Sequence, residues 1–180
     1  LVGKICNLIG ISAEQFYPLY IKERHNYDAG QFSLHTYWEK NLTHINKDPR
    51  TINIDQLTTW DRESWLFINT QTIEYIREIK SRIRIALLSN MPYDFFPYIK
   101  DAPWLPLFEE RILSFEEKIC KPEKKIYKAL LDRIKAEPGH VLFIDDTTPN
   151  VQAARDMGIN SLQFTNVQDM KREIEEGYRF

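Results

Sequence analysis

Two adjacent carboxylates, Asp145 and Asp146, follow directly on four apolar residues, Val141, Leu142, Phe143 and Ile144. Thr147, Thr148, Pro149 and Asn150 then turn the chain. Val151, Ala153, Ala154 and Met157 resume at helical spacing until Gly158, where a helix would stop. An apolar run without alternation predicts a strand buried on both faces, in a parallel sheet between helices. Ligands of such sheets bind beyond the carboxyl ends of the strands. Two acids at that edge repel each other and lose hydration. A divalent cation removes that cost, and hard oxygen donors suit Mg²⁺; the plainer role for the pair is capping a loop. Ser89 and Asn90 end a second apolar run, residues 83–88, and Lys121 precedes Pro122 at the mouth of a helix. Singly, a serine there is a turn residue or cap, and a lysine is a solvated charge. Together, a hydroxyl, an ammonium and a carboxylate pair after successive elements of one sheet make a phosphate site with a metal. Ser89 and Lys121 would hold phosphate oxygens, with Asn90 the less informative neighbour, and Mg²⁺ on Asp145 and Asp146 would offset the remaining charge.

The elements that must position these residues divide the chain in two. Residues 1–70 read as helices only. Ser12 to Gln15 forms a capping box, residues 27–31 with Asp28 and Gly30 break the helix, and Ser33 opens another carrying Leu34, Tyr37, Trp38, Leu42 and Ile45. Asp48-Pro49 ends that helix, and Asp55 caps a third with Leu57 and Trp60. The aromatics Tyr37, Trp38, Trp60 and Trp65 either line a substrate pocket or fill the core of a small bundle. From residue 71 to 180 helix and strand alternate. A helix from Asn69 or Thr70 leads to the strand at 83–88, residues 93–100 read as helix, and 111–115 as a weak strand. Pro122 suits the first position of a helix carrying Ile126, Ala129, Leu130 and Ile134. The strand at 141–144 and a last one at 161–165 follow, and Asn166 caps a closing helix. Strands separated by such helices imply right-handed crossovers and a parallel sheet.

The 180 residues suffice for one good core, or a core and a small satellite. With 43% hydrophobic and 28% charged residues the composition is that of an ordinary globular protein. A net charge of −2 points to neither a nucleic-acid nor a membrane partner. Cys6 and Cys120 are too few for a disulfide framework or a metal knuckle, which makes the cytoplasm the expected compartment. No apolar stretch approaches the roughly 20 residues of a membrane span, and no signal peptide is visible. The chain begins with Leu rather than Met and reads as trimmed at its start.

The sequence resembles the haloacid dehalogenase-like hydrolase superfamily, in its branch of capped phosphatases. The second motif of that family, a Ser or Thr after an apolar strand, matches IALLSN at Ser89. The third, a Lys usually followed by Pro, matches CKPEKKIY at Lys121. The fourth, an acidic pair leading into a helix, matches FIDDTTPNVQAARDMGI at Asp145 and Asp146. Order and spacing fit over about residues 70–165, and YDAGQFSLHTYWEK is similar to a cap segment of sugar-phosphate phosphatases. The resemblance implies an α/β fold, a Rossmann-like three-layer parallel sheet with an N-terminal helical cap (1–70) and a core (71–180). It also implies Mg²⁺-dependent hydrolysis of a small phosphomonoester, with sugar phosphates among the candidates, through an aspartyl-phosphate. Ser89 and Lys121 would then be catalytic, and Asp145 and Asp146 the metal ligands. The implied partner is a small phosphorylated metabolite, with no nucleic acid and no membrane; the oligomeric state is open.

One departure matters. The first motif of the family, Asp-x-Asp after the central first strand, supplies the nucleophile and the general acid/base, and nothing before residue 70 matches it. Asp28, Asp48, Asp55 and Asp61 lie in helical or turn contexts. The chain therefore reads as a family member lacking its central first strand, and as nearly inactive by itself. Lys118 stands where relatives often have Gly before the Lys-Pro. Four other readings compete. A halide-releasing dehalogenase lacks the acidic pair, a receiver domain places its acids near the chain start, and an epoxide hydrolase needs a G-x-S-x-G domain. A catalytically silent scaffold or binding module draws support from the missing nucleophile.

Overall fold

In a computed structural model, which describes residues 1–177, the first 65 residues are helical, as their patterning predicts: α1 (Val2–Ile9), α2 (Ala13–Lys22), α3 (Arg24–Asp28), α4 (Leu34–His44) and α5 (Ile54–Trp65). Local chemistry explains the boundaries. At α2, the Ser12 hydroxyl accepts from the Gln15 amide, while the Gln15 side chain accepts from the Ser12 amide, completing the capping box. Ser33 caps α4 in the same way, through the amide of Thr36. Gly30, with φ of +73°, reverses the chain after α3. Two expectations are corrected here. Asn53, not Asp55, caps α5 and leaves Asp55 in its first turn, and Asp48-Pro49 opens a short 3₁₀ turn rather than ending α4, which stops at His44. Tyr37, Trp38, Leu42, Ile5 and Leu57 are almost fully buried together, so most of the early aromatics are core. Trp65 is the exception, half-exposed at the end of α5.

Beyond Asn69, which caps α6 (Thr70–Ile79), come β1 (Ala86–Ser89), β2 (Glu110–Leu113), α7 (Ser114–Glu117), α8 (Lys124–Ile134), β3 (Leu142–Asp145), α9 (Thr148–Arg155), β4 (Asn160–Gln163) and α10 (Val167–Gly177). The strands pair in parallel, as expected, but in two separate sheets. β1 runs beside β2 with Ser89 opposite Leu113, and β3 runs beside β4 with Asp145 opposite Gln163. β1 and β3 share no ladder. They nevertheless lie in one layer between two helical faces. Phe143 packs with Tyr127, Leu130 and Ala154 of α8 and α9 on one side. Leu142 and Ile144 pack with Tyr75, Met170 and Ile174 of α6 and α10 on the other. That alternation along a single strand is what a sheet covered on both faces requires.

Residues 93–100, expected as helix, form turns and a 3₁₀ segment at Phe96–Tyr98, because Pro97 lacks the amide that would pair with the Tyr93 carbonyl. Pro122 is not the first residue of α8. It follows Lys121 through a cis peptide bond, and Glu123 caps a helix that starts at Lys124.

Candidate active site

The carboxyl ends of β1 and β3 place three of the sequence-selected residues at one rim. Ser89 is the last residue of β1 and Asp145 the last of β3. Lys121 joins the two strands. Its ammonium donates to the carbonyl of Leu88 at 3.0 Å and to Asp145 Oδ2 at 2.6 Å. Both ends of that ion pair are buried, with side-chain exposures of 11% and 6%, so solvent screens it little. The Lys121 ammonium also lies 5.7 Å from the centre of the Phe143 ring. Among the described residues the Ser89 hydroxyl has no hydrogen-bond partner.

Asn90 acts on the backbone of Lys121. Its side-chain Nδ2 donates to the Lys121 carbonyl at 2.9 Å, and its Oδ1 accepts from the Lys121 amide at 2.8 Å. The two bonds mimic a rung of β-ladder between loops that follow different strands. They hold Lys121 in register with β1, and they leave little of the Asn90 amide for a ligand.

Asp145 is fixed from the opposite side as well. Its Oδ1 accepts from the Thr147 amide and from Asn150 Nδ2, both at 2.9 Å, and Tyr127 donates to the Asn150 carbonyl at 2.8 Å. Burial pushes the Tyr127 phenol up, with the neighbouring Asp145 adding to the effect, so it stays a donor across the neutral range. Asn150 is a site-building residue that the sequence reading treated only as part of a turn. Its one signal was a polar side chain at the first turn of a helix opened by the acidic pair. Asp146 points differently: it is exposed, its Oδ1 accepts from the Thr147 hydroxyl at 3.3 Å, and its carbonyl accepts from Gln163.

The structure thus joins Lys121 to Asp145, sets Ser89 beside the carbonyl that Lys121 uses, and leaves Asp146 open to solvent. As metal ligands the acids fit in kind, because Mg²⁺ takes hard oxygens and commonly needs one or two carboxylates besides water and phosphate. Asp146 has unused lone pairs, whereas both oxygens of Asp145 already accept hydrogen bonds. Among the described residues no group of three or more His, Cys, Asp or Glu side chains could share a metal ion.

The remaining early acids have other tasks. Asp28 and Asp61 flank Arg24, at 3.0 and 3.8 Å, and Asp61 also accepts from Tyr20 at 2.8 Å. Burial raises the pKa of both acids above the usual range, with Arg24 pulling the other way. Asp48 pairs with Arg50 at the surface, and Asp55 lies in the first turn of α5. None of the four stands at the end of a strand.

Helix α3 spans the joint between the helical part and these loops. Tyr27 donates to Asp94 Oδ1 at 2.8 Å, and the amide of Leu34 to Asp94 Oδ2 at 2.7 Å. Ser114, fully buried, donates to the Asp28 carbonyl and accepts from the Met91 amide. The Cys120 thiol, next to Lys121, contacts the His25 carbonyl. Nothing in the local pattern around Asp94 marked it; only the fold shows that it bridges two parts of the chain.

With this geometry, comparison with known proteins is informative. Residues 9–158 match the haloacid dehalogenase-like hydrolase family. The chain is similar to bifunctional epoxide hydrolase 2 of Mus musculus, 41% identical over 38% of this chain, and spans only 12% of that protein's length. It is 23% identical to D-ribitol-5-phosphate phosphatase of Bacteroides thetaiotaomicron, over 63% of this chain and 60% of the other. Among solved structures, a haloacid dehalogenase family enzyme from Bacteroides thetaiotaomicron in complex with magnesium superposes with a TM-score of 0.65 at 21% identity, covering 88% of this chain and 82% of that one. Ser89, Lys121 and the acidic pair stand at the carboxyl ends of parallel strands in an α/β fold, and the family match runs through all of them: the chain belongs to the haloacid dehalogenase-like hydrolase family.

Proposed function

We propose that this chain carries the phosphate-binding and metal-binding part of a Mg²⁺-dependent phosphatase acting on a small phosphomonoester. The observation that carries the reading is the buried bond from Lys121 to Asp145 beneath the free hydroxyl of Ser89. A phosphoryl group entering this edge meets one ammonium and one hydroxyl, which together neutralise and orient two of its oxygens. Asp146, with Asp145 behind it, would hold Mg²⁺, which supplies further charge neutralisation of the phosphoryl oxygens when bound. Asn90 keeps Lys121 at its station, and Asn150 and the Thr147 amide keep Asp145 aimed at the lysine. The relative named as a ribitol phosphate phosphatase supports this class of substrate.

In the reaction that the family resemblance implies, a carboxylate oxygen attacks phosphorus. The ester P–O bond breaks, and a second acid protonates the leaving oxygen. Water, deprotonated by that same acid, then attacks phosphorus and releases phosphate. No acid among Asp28, Asp48, Asp55 and Asp61 is placed for the first step, so these residues alone turn over p-nitrophenyl phosphate several orders of magnitude more slowly than a chain that includes a nucleophile. A phosphate-release assay tests this, with and without Mg²⁺, on the present chain and on one extended at its N-terminus by an apolar strand ending in Asp-x-Asp. Magnesium-dependent turnover only in the extended chain is expected. Failure of both chains to bind phosphate with Mg²⁺ would overturn the reading.

One observation favours a second reading, a catalytically silent binding module: both carboxylate oxygens of Asp145 already accept hydrogen bonds within the protein. Calorimetric titration with Mg²⁺ separates the two: Asp146→Asn weakens binding of the ion in the phosphatase reading and leaves it unchanged in a silent module.

A further inference from the structure

Asp146, the carboxylate that faces solvent, sits in the turn of two residues, Asp146 and Thr147, that leads from β3 into α9. The neighbours of that turn hold it from several sides. The Thr147 amide donates to Asp145 Oδ1, and the Thr147 carbonyl accepts from the Asn150 and Val151 amides at 2.9 and 3.2 Å, where α9 begins. The Thr147 side chain stands at the N-cap of α9 but makes no cap bond; its hydroxyl is turned to Asp146 Oδ1 instead. The Asp146 carbonyl is taken by a side chain from the neighbouring strand. Gln163, the last residue of β4, donates from Nε2 to that carbonyl at 3.0 Å and to the Thr148 hydroxyl at 2.9 Å. Its Oε1 accepts from the same hydroxyl at 3.2 Å. Because a carbonyl can only accept, the amide nitrogen must face Asp146, and the orientation of the Gln163 side chain is fixed.

Folding stability does not account for these bonds. Gln163, Asp146 and Thr148 are all exposed, and hydrogen bonds in contact with water add little to stability, since water replaces them readily. Nor does the sheet depend on them. The β3–β4 ladder places Gln163 opposite Asp145, and the Phe164 amide extends the pairing by donating to the Asp145 carbonyl at 2.9 Å. What the Gln163 amide adds is geometry, because it ties the turn that bears one acid to the strand paired with the other.

Resting on the Mg²⁺ reading above, we propose that Gln163 is a positioning residue: it fixes the peptide of Asp146, and through it the carboxylate, relative to Asp145. The consequence is a preference between ions. Mg²⁺ demands a nearly ideal octahedron at about 2.0–2.1 Å, whereas Ca²⁺ accepts a flexible shell of oxygens at about 2.3–2.6 Å. A carboxylate on a loosened turn still serves Ca²⁺ and loses much of its value to Mg²⁺. Gln163 therefore favours the smaller ion without touching it.

The test is an NMR titration of the ¹⁵N-labelled chain with MgCl₂ and, separately, CaCl₂, read at the Thr147 amide. Parent and Gln163→Met are compared, since methionine keeps the length of the side chain and lacks both hydrogen-bonding groups. Gln163→Met is expected to weaken Mg²⁺ about tenfold and Ca²⁺ by less than about threefold, with the urea midpoint of unfolding unchanged. Thr148→Val, which frees the other end of the Gln163 amide, is expected to shift the preference the same way by a smaller factor. Equal weakening of the two ions by Gln163→Met, or no weakening, overturns the proposal and leaves the Mg²⁺ reading standing. Loss of folding in both variants also overturns it, because the bonds would then serve stability. If neither ion moves the Thr147 amide in the parent chain, the Mg²⁺ reading falls and the proposal falls with it.

Discussion

At the scale of single residues, the site centres on one buried ion pair, Lys121 with Asp145, and the polar groups that fix it. Lys121 and Asp145 are paired where water does not reach, and removing one partner strands the other. Lys121→Met is expected to lower unfolding stability by about 3 kcal/mol, measured by urea denaturation, and to abolish phosphate binding. Asn90→Ala is expected to spare more of the fold, at a cost of about 1–3 kcal/mol, while weakening phosphate binding through a displaced Lys121. If Asn90→Ala binds phosphate as well as the parent, the backbone clamp is not a positioning device. The core of the N-terminal helices makes a pH prediction. Burial raises the Asp28 carboxyl above its ordinary value of 3.8, so the folded state holds that proton more tightly than the unfolded chain does. The stability this group contributes is complete below pH about 4 and is lost as pH rises through the higher folded value. The stability of the parent minus that of Asp28→Asn should fall as pH is raised from about 4 to 7. Taking the difference removes the opposite contributions of Asp48 and Asp169, whose carboxyls hydrogen bonds hold below their usual range.

Among the elements, the short helix α3 touches the loops that follow β1 and β2 and the one that bears Lys121. Its Tyr27 reaches Asp94 beyond Asn90, its Asp28 carbonyl accepts from Ser114 at the end of β2, and its His25 carbonyl accepts from Cys120 beside Lys121. Asp94 does more than bind Tyr27, because it also takes up the first free amide of α4. Asp94→Ala therefore unpins two helical elements at once. Hydrogen exchange should report faster exchange at Leu34, with a stability loss of about 1–3 kcal/mol; unchanged protection at Leu34 would argue that α4 is capped by Ser33 alone. Burial pushes the Cys120 thiol up to about 12, so a thiol reagent at neutral pH should label it only as fast as α3 lifts from the core. Labelling faster than hydrogen exchange at the same joint would contradict that arrangement.

In the molecule as a whole, two parallel strand pairs share one layer, and Lys121 is the atom-level link between them. Amides of β1 and β3 that do not face β2 or β4 should exchange faster than those within the ladders, a pattern that hydrogen exchange resolves residue by residue. What the sequence by itself determined was local. An unbroken apolar run must be a covered strand, Ser12 and Ser33 must cap helices, and an acidic pair after such a strand must sit at its carboxyl edge, since each follows from neighbours a few residues apart. The helical character of the first 65 residues and the placing of Ser89 and Asp145 at the carboxyl ends of their strands followed from the same local rules. Tertiary structure decided the rest. Asn90 serves Lys121 rather than facing a ligand, Asp94 and Arg24 join parts of the chain that have no common pattern, and Trp65 stays exposed while Trp38 is buried. These outcomes depend on which groups are left without partners once helices and strands have packed. A hydrogen bond between residues 31 or 67 positions apart leaves no trace in the periodicity of either segment.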